Sequence, residues 1–322
     1  MTSSDTSSSS STSLMTWLRL MRLPTVFTAL ADILCGFLVS SAVGGGMSVG
    51  EVLAKPELWC LLAASAGLYL GGMVLNDVFD ARLDAVERPE RPIPSGRISV
   101  RTAAVFGASL LVTGVVFAWL SGHLAETGTG GLNVAVLLAI AVVAYDGLLK
   151  PTVLGPLGMG TCRFLNVLLG ASASGVWPDH LKGPQFDVAL ALGVYITGVT
   201  FFARNEAGGA SRVSMSLAMG LMLAGIAVDV RLVRTGDFPE SVVTGTLIAL
   251  GLVAANVVIR CSRAIRSLRP KLVQKTVGLL LLSIIFLDAA MVFCVTGDAS
   301  LASLVVFLVV PATLMKRAIP LS

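Results

Sequence analysis

The sequence predicts an all-α fold, a polytopic membrane bundle of about nine to ten transmembrane helices. Hydrophobic residues make up 55% of the 322 residues, charged residues only 13%, and the mean hydropathy is +0.87. Soluble domains carry about twice this share of charge. Apolar runs of about 20 residues, the length that crosses a bilayer, recur from Leu23 to the C-terminus.

Ten segments have the length and apolar character of a membrane-crossing helix. They cover residues 23–43, 57–78, 101–121, 132–149, 155–177, 187–203, 213–230, 241–260, 275–296 and 299–315. Residues 1–13 are almost all Ser and Thr, and we expect this tail to be disordered because it cannot form a core. The predicted domains are therefore the tail, residues 1–13, and a transmembrane domain, residues 14–322.

The basic residues predict the orientation of the bundle, because cytoplasmic loops are enriched in Lys and Arg. With a cytoplasmic N-terminus and ten crossings, all but four of the 23 Lys and Arg residues fall inside. The four outside are Lys55, Lys182, Arg231 and Arg234. The loops after the second, fourth and sixth spans then open on the cytoplasmic side.

Charge and cysteine spacing exclude two classes of partner. A net charge of +4 is too small to indicate nucleic-acid binding. The five cysteines are widely spaced and form no CxxC pair, which argues against a zinc or iron–sulfur site. We expect the cysteines to be reduced packing residues.

A polar segment, LNDVFDARLDAVERPERPIPSGRIS, follows the second span at residues 75–99. Asn76, Asp80 and Asp84 recur every four residues and stack along one helix face, with Asp77 beside that face. Oxygen ligands suit Mg²⁺, and carboxylates that emerge from a membrane helix usually mark a function. The alternative is a solvated loop whose acids and bases only balance each other.

The same segment continues with a cationic cluster that could hold a phosphate group. Its members are Arg88, Arg91, Arg97 and Arg101. A carboxylate face followed by arginines predicts a metal–diphosphate site at a membrane surface.

NDxxDxxxD followed by RPxPSG resembles the first aspartate-rich motif of the UbiA superfamily of intramembrane prenyltransferases, and ERPERPIPSGRIS is most similar to its bacterial EboC-like branch. The resemblance implies a UbiA-like fold in the bacterial inner (plasma) membrane, with the active-site loops cytoplasmic. It also implies transfer of a prenyl group from a prenyl diphosphate to a lipid-soluble, typically aromatic acceptor, with Mg²⁺ held by Asn76, Asp80 and Asp84. A UbiA-like protein that binds or moves an isoprenoid-linked metabolite without catalysis is the alternative.

The family commonly carries a Tyr and a Lys four residues apart after the fourth span, where they contribute to diphosphate binding. Here Tyr145 and Lys150 are five apart, which would turn them about 140° from each other on a continuous α-helix. Gly147 and Pro151 make a helix break plausible, and a break would let the two side chains converge. The alternative role of Lys150 is an interfacial anchor.

Two further groups complete the expected site. Arg163 and Asn166 share a face early in the fifth span, where a buried Arg needs a partner. The resemblance places a second aspartate-rich motif after the sixth span, but only Glu206 is acidic there, with Arg204 and Arg212 nearby. The alternative is an interfacial loop in which Glu206 is solvated.

The candidate residues fall into three sets. The catalytic set is Asp80, Asp84 and Lys150. The metal set is Asn76, Asp80, Asp84 and Glu206. The substrate-binding set is Asp77, Arg88, Arg91, Tyr145, Lys150, Arg163, Asn166, Arg204 and Arg212. Asp288 lies near the middle of a span without a motif, and we expect it to have a partner or a proton.

Overall fold

The computed structural model describes residues 14–42, 45–175, 178, 182–204 and 211–318, and the regular elements in these ranges are all helices. The helices, labelled in chain order, are α1 (Val26–Ala42), α2 (Val49–Leu53), α3 (Pro56–Phe79), α4 (Ala81–Glu87), α5 (Val100–Leu124), α6 (Gly130–Ala144), α7 (Gly155–Ala171), α8 (Pro184–Ala203), α9 (Arg212–Thr235), α10 (Glu240–Ser267), α11 (Pro270–Thr296), α12 (Ala299–Phe307) and α13 (Val309–Ala318). A 3₁₀ turn, Leu23–Thr25, precedes α1, and a π-helical turn, Tyr145–Leu149, extends α6. The predicted disordered tail lies outside the described residues.

Nine helical segments within the described ranges are long and apolar enough to cross a membrane. They are Leu23–Ala42, α3, α5, Gly130–Leu149, α8, α9, α10, α11 and Ala299–Lys316. The one predicted span not among these nine is the fifth, residues 155–177; it corresponds to α7, which has 17 residues and ends at Ala171. The prediction of an all-α polytopic bundle is confirmed.

Contacts at the helix ends show that α7 also runs from one face of the bundle to the other. Lys150, just before α7, bonds to Asp80 after α3, whereas Ser174, just after α7, bonds to Ser40 near the far end of α1. The last segment returns to the first face, since α12 packs on α2 and α13 packs on the turn Leu23–Thr25. Within the part of the chain that the structure describes, ten helical segments therefore run between the two faces, and its two ends lie on the same face. We call it the charged face.

Local sequence explains where these helices begin and end. Pro56, Pro184 and Pro270 each occupy the first position of a helix, where a missing N–H costs nothing. Ser99 caps α5 by accepting a hydrogen bond from the Thr102 N–H at 3.0 Å. In the last segment, Pro311 has no N–H to donate to the Phe307 carbonyl, and its ring clashes with that group. The helix is interrupted at Leu308, between α12 and α13.

The first and fifth crossings, α1 and α7, pack unusually closely. A Cβ atom added to Gly36 would lie 2.0 Å from the Val167 carbonyl oxygen, and one added to Gly170 would lie 2.4 Å from that of Ile33. Small residues of this kind let membrane helices approach along their backbones. This close crossing places polar side chains of α1 directly beside those of α7.

The five cysteines are unpaired, and all but the half-buried Cys60 lie in the interior. They occupy helices α1, α3, α7, α10 and α11. Their burial fits the prediction that they serve as packing residues.

Candidate active site

A cavity of about 280 Å³ opens at the charged face between α3, α6 and α7. Its polar entrance, which we call the mouth, is formed by Arg22, Asn76, Tyr145, Asp146 and Lys150. An apolar wall follows, formed by Leu68, Met73, Leu138, Val142 and Met159. A second polar zone, the floor, lies beside the deeper part of this wall and is formed by Ser65, Tyr69, Arg163 and Asn166.

Tyr145 and Lys150 both line the mouth despite their five-residue separation. The Lys150 N–H donates to the Tyr145 carbonyl oxygen at 2.8 Å, which closes one π-helical turn. A π turn accommodates one residue more than an α turn, and such turns recur at functional sites. The expected convergence of the two side chains is therefore present, but an extra residue within the helix produces it and not a helix break.

Two contacts join α3 to the end of α6 at the mouth. The Lys150 ammonium donates to Oδ2 of Asp80, and the Asn76 amide donates to Oδ1 of Asp146 at 2.7 Å. The side chains of Lys150 and Asp80 keep 32% and 21% of their exposure, so both remain accessible to a ligand. Lys150 therefore lies at the cavity entrance, paired with Asp80.

Asp84, the third residue of the expected metal-binding row, lies in a closed environment. It follows the interruption of the helix at Asp80, is 3% exposed, and accepts a hydrogen bond from Arg91 Nη1 at 2.6 Å. Arg91 is itself 4% exposed and lies outside the cavity lining. An internal ion pair therefore holds the carboxylate that was expected to bind the metal.

Asp77 belongs to the same internal network. Its Oδ1 accepts from Arg22 Nη2 at 2.8 Å and lies 3.5 Å from Arg91 Nη1. Arg22 adopts a left-handed backbone conformation, with φ of 46°, just before the first crossing. This bend lets the Arg22 side chain reach Asp77 and the mouth together, and non-glycine residues hold such a conformation only where their surroundings enforce it.

The remaining predicted phosphate-binding residues lie in different environments. Arg204 donates through Nη2 to the carbonyl oxygens of Lys150 and Thr152, so it fixes the loop that follows the π turn. Arg88 and Arg212 are exposed. Glu206, the single acid of the expected second motif, lies outside the described residues.

Arg163 and Asn166 are at the floor and not at the mouth. Arg163 is eight residues into α7 from Gly155, about 12 Å along the helix axis. Its Nη1 donates to Oδ2 of Asp32 on α1 at 2.8 Å, and the Asn166 amide donates to the same oxygen at 3.0 Å. This depth separates Arg163 from the charges at the mouth.

Three functional candidates were missing from the sequence-based set: Arg22, Asp32 and Asp146. Asp32 lies within a predicted span. An acid within a span was the reason for singling out Asp288, and the same criterion would have identified Asp32. Asp146 directly follows Tyr145. What makes it a candidate ligand is its contact with Asn76, 70 residues earlier in the chain, which the sequence does not reveal. In the sequence, Arg22 was only one of the basic residues that indicate membrane orientation. Its left-handed backbone conformation brings its side chain to the cavity.

The oxygen atoms at the mouth fit a magnesium ion. Within the described ranges, no three His, Cys, Asp or Glu side chains converge as a complete ligand set. Mg²⁺ does not require one, because it is usually held by one or two carboxylates and completes its shell with water and substrate phosphates. Asn76 and Asp146 at the mouth, and Asp80 beside it, offer suitable amide and carboxylate oxygens.

Known proteins are similar to this chain in sequence and in fold. The digeranylgeranylglyceryl phosphate synthase of Saccharolobus solfataricus is 33% identical over 162 residues, 50% of this chain and 52% of that protein. The enzyme of the same name from Methanoculleus marisnigri is 31% identical over 211 residues, 65% of this chain and 69% of that protein. The chain spans about half the length of the first curated relatives it matches.

Two solved structures have the same fold. A structure described as giving insights into digeranylgeranylglyceryl phosphate synthase in membranes aligns with a TM-score of 0.64 at 20% identity, over 89% of this chain and 99% of that one. A UbiA homolog from Archaeoglobus fulgidus bound to GPP and Mg²⁺ aligns with a TM-score of 0.56 at 16% identity, over 88% of this chain and 100% of that one.

The sequence profile of the UbiA prenyltransferase family matches residues 37–207, which contain α3, the π turn, α7 and every residue of the mouth except Arg22. With more than half of the chain matched and the fold shared, this multi-pass membrane protein belongs to the UbiA prenyltransferase family.

Proposed function

We propose that this protein is a Mg²⁺-dependent prenyltransferase that moves a prenyl group from a prenyl diphosphate to a lipid-soluble acceptor within the membrane. The observation that carries this proposal is the order of chemistry along one cavity. Oxygen donors and cations meet at the mouth, and an apolar wall lies directly below them. A diphosphate with a hydrocarbon tail has the same order of charge and apolar surface.

The charged residues at the mouth would hold the diphosphate. Lys150 and Arg22 supply positive charge on two sides of the entrance, and Asn76, Asp80 and Asp146 would hold Mg²⁺ between them. Bound Mg²⁺ would act as a Lewis acid toward the diphosphate oxygens. Fixed cations at this position stabilise the charge that develops on the leaving diphosphate and so lower the barrier to its departure.

The transfer step itself needs few protein groups. The bond between C1 of the prenyl group and the diphosphate oxygen breaks, a bond between C1 and the acceptor forms, and the proton of the acceptor passes to water at the mouth. Leu68, Val142 and Met159 exclude water from the region below the mouth. Exclusion of water protects a cationic prenyl carbon from hydrolysis.

The proposed substrates follow from the relatives and from the cavity. The Archaeoglobus fulgidus homolog is described as bound to GPP and Mg²⁺, and the curated relatives are named for a prenylated glyceryl phosphate. For this chain we propose a prenyl diphosphate donor and an aromatic acceptor. The segment ERPERPIPSGRIS supports an EboC-like protein of the bacterial inner membrane, with the N-terminus and the charged face cytoplasmic.

A non-catalytic carrier of an isoprenoid-linked metabolite is the second candidate. The observation in its favour is that Arg91 and Arg204, two residues expected at the diphosphate, already bind protein groups. A carrier needs to bind a diphosphate lipid but does not need to stabilise its departure.

Pyrophosphate release by the purified protein separates the two candidates. Geranyl, farnesyl and geranylgeranyl diphosphates are supplied one at a time, with and without Mg²⁺, together with a bacterial lipid extract. We expect Mg²⁺-dependent release that Asp80→Ala abolishes. Donor binding without release from any of the three would favour the carrier.

A further inference from the structure

The floor of the cavity carries a buried cation in an unexpected place. Arg163 is 7% exposed, and its Nη1 and Nη2 donate to Asp32 Oδ2 and Thr28 Oγ1, each at 2.8 Å. Its guanidinium carbon lies 5.5 Å from the centroid of the Tyr69 ring, which also lines the floor. A cavity that held only a hydrocarbon tail would not need such a group at its end.

The hydrogen-bonding capacity of Arg163 exceeds the contacts that the described residues give it. A guanidinium has five N–H groups, and two of them are used by Asp32 and Thr28. Asn166, in contrast, is fully engaged, because it donates to Ala29 and Asp32 and accepts from Ser65 at 2.8 Å. Buried donors without acceptors are costly, so the face of Arg163 toward the cavity favours a ligand with a hydrogen-bond acceptor.

The charges around the floor decide which kind of acceptor atom fits. Asp32 already neutralises Arg163 through an ion pair at 2.8 Å, and the acid Asp288, buried on α11, brings no cation to the floor. Asp229, a further acid buried on α9, adds no positive charge. An anionic ligand group would therefore leave a net negative charge in a site with little water, which is strongly unfavourable.

We infer that the acceptor substrate places an uncharged oxygen atom, a carbonyl, hydroxyl or phenol group, against Arg163 at the floor, while its nucleophilic atom faces the mouth. This inference rests on the proposed prenyltransferase function and specifies its acceptor. A carboxylate or phosphate group is excluded from the floor. Arg163 then acts as a specificity-determining residue, and Asp32 positions its guanidinium.

The distance between the two polar zones sets the shape of that acceptor. Asn76 at the mouth and Tyr69 at the floor are seven residues apart on α3, about 10 Å along the axis. Tyr69 also offers an aromatic ring beside the guanidinium. The acceptor is therefore an elongated, neutral ring compound with polar atoms at opposite ends, rather than a glyceryl phosphate.

A matched pair of probes tests the charge rule. Methyl 4-hydroxybenzoate and 4-hydroxybenzoate share a ring and a phenol, and only the second carries a negative charge at neutral pH. Their binding to the full-length protein in detergent is measured by titration calorimetry, with geranyl diphosphate and Mg²⁺ titrated into parallel samples. We expect the neutral ester to bind at least tenfold more tightly than the carboxylate.

Variants of the floor test the residues. The double variant Asp32→Asn with Arg163→Gln keeps the site neutral but removes the guanidinium donors. It should weaken ester binding about tenfold, the effect of losing a hydrogen bond to a charged group, and leave geranyl diphosphate binding unchanged. Ser283→Ala, on α11 and outside the cavity lining, is the control and should alter neither.

The outcomes separate the two levels of the proposal. Failure to bind geranyl diphosphate with Mg²⁺ would overturn the proposed function and the acceptor assignment together. Normal donor binding with equal or tighter binding of the carboxylate, or with no binding of either ring probe, would overturn the acceptor inference alone. An unchanged ester affinity in a folded double variant would do the same. If the double variant does not fold, the comparison of the two probes on the unmodified protein still decides.

Discussion

The backbone N–H of Lys150 donates to the carbonyl oxygen of Tyr145 across 2.8 Å, so that a pair five residues apart lines one cavity mouth. The additional residue is absorbed by a π turn whose Leu148 side chain is 71% exposed. The π turn therefore arises because the segment contains one residue more than an α turn, and not because Leu148 makes a contact that requires it.

Deletion of Leu148 should convert the π turn into an α turn and keep the two side chains on one face. We expect the apparent KM for the prenyl diphosphate to change less than threefold. Insertion of Ala after Leu148 should turn the lysine by about 100° and raise KM at least tenfold. Steady-state pyrophosphate release measures both, and an equal effect of deletion and insertion would contradict the geometry.

Asp80 and Asp84 should respond differently to substitution. Asp80→Ala should abolish Mg²⁺-dependent turnover with little loss of stability, because its side chain is partly exposed. Asp84→Asn breaks a buried pair with Arg91, and loss of one partner in such a pair costs about 3–5 kcal/mol. Thermal unfolding in detergent beside the turnover assay distinguishes them. Loss of Mg²⁺ dependence in a fully stable Asp84→Asn protein would restore Asp84 as a ligand.

Asp146→Asn tests the acid that the sequence-based set lacked. An amide oxygen can still accept the hydrogen bond from Asn76, so we expect folding to be unchanged. The Mg²⁺ concentration for half-maximal turnover should rise about tenfold, because a ligand loses its charge. The control is Asp187→Asn, far from the mouth, which should leave the Mg²⁺ concentration for half-maximal turnover unchanged. An unaltered Mg²⁺ requirement in Asp146→Asn would remove this residue from the metal site.

Gly170→Val should destabilise the protein, because its side chain would meet the Ile33 carbonyl oxygen at the closest helix crossing. Overpacking costs about 1–3 kcal/mol and here would also separate Arg163 from Asp32. Gly220→Val is the matched control, since a Cβ atom there meets no atom within 4 Å. Melting temperatures of the two variants in one detergent give the comparison, and equal values would argue against the close crossing.

The orientation can be read by cysteine labelling. Ser95→Cys, in a Cys60→Ser background, should react with a membrane-impermeant maleimide only after the cytoplasmic side is opened. Asp237→Cys, in the exposed loop between α9 and α10, should react from the opposite side. Labelling of residue 95 in intact cells would reverse the proposed topology.

Much of the fold and part of the site could be predicted from the sequence. Length and hydropathy are local properties, and they located ten helical segments, with the predicted ends up to seven residues from the observed ones. The charged segment after α3 was also recognisable, because regular spacing on a helix is visible in one dimension. The pair Tyr145 and Lys150 was recognisable only from the family resemblance, since its five-residue spacing is irregular for an α-helix.

Only the tertiary structure decided which charges are available to a ligand. Asp84 and Arg91 form an ion pair with each other. Asp146 accepts a hydrogen bond from Asn76, and Arg163 pairs with Asp32 deep in the bundle. These pairings depend on which helices cross and how closely, as the glycine contacts between α1 and α7 show. A sequence shows which residues can carry charge, whereas helix packing determines whether that charge meets a partner within the protein or a substrate.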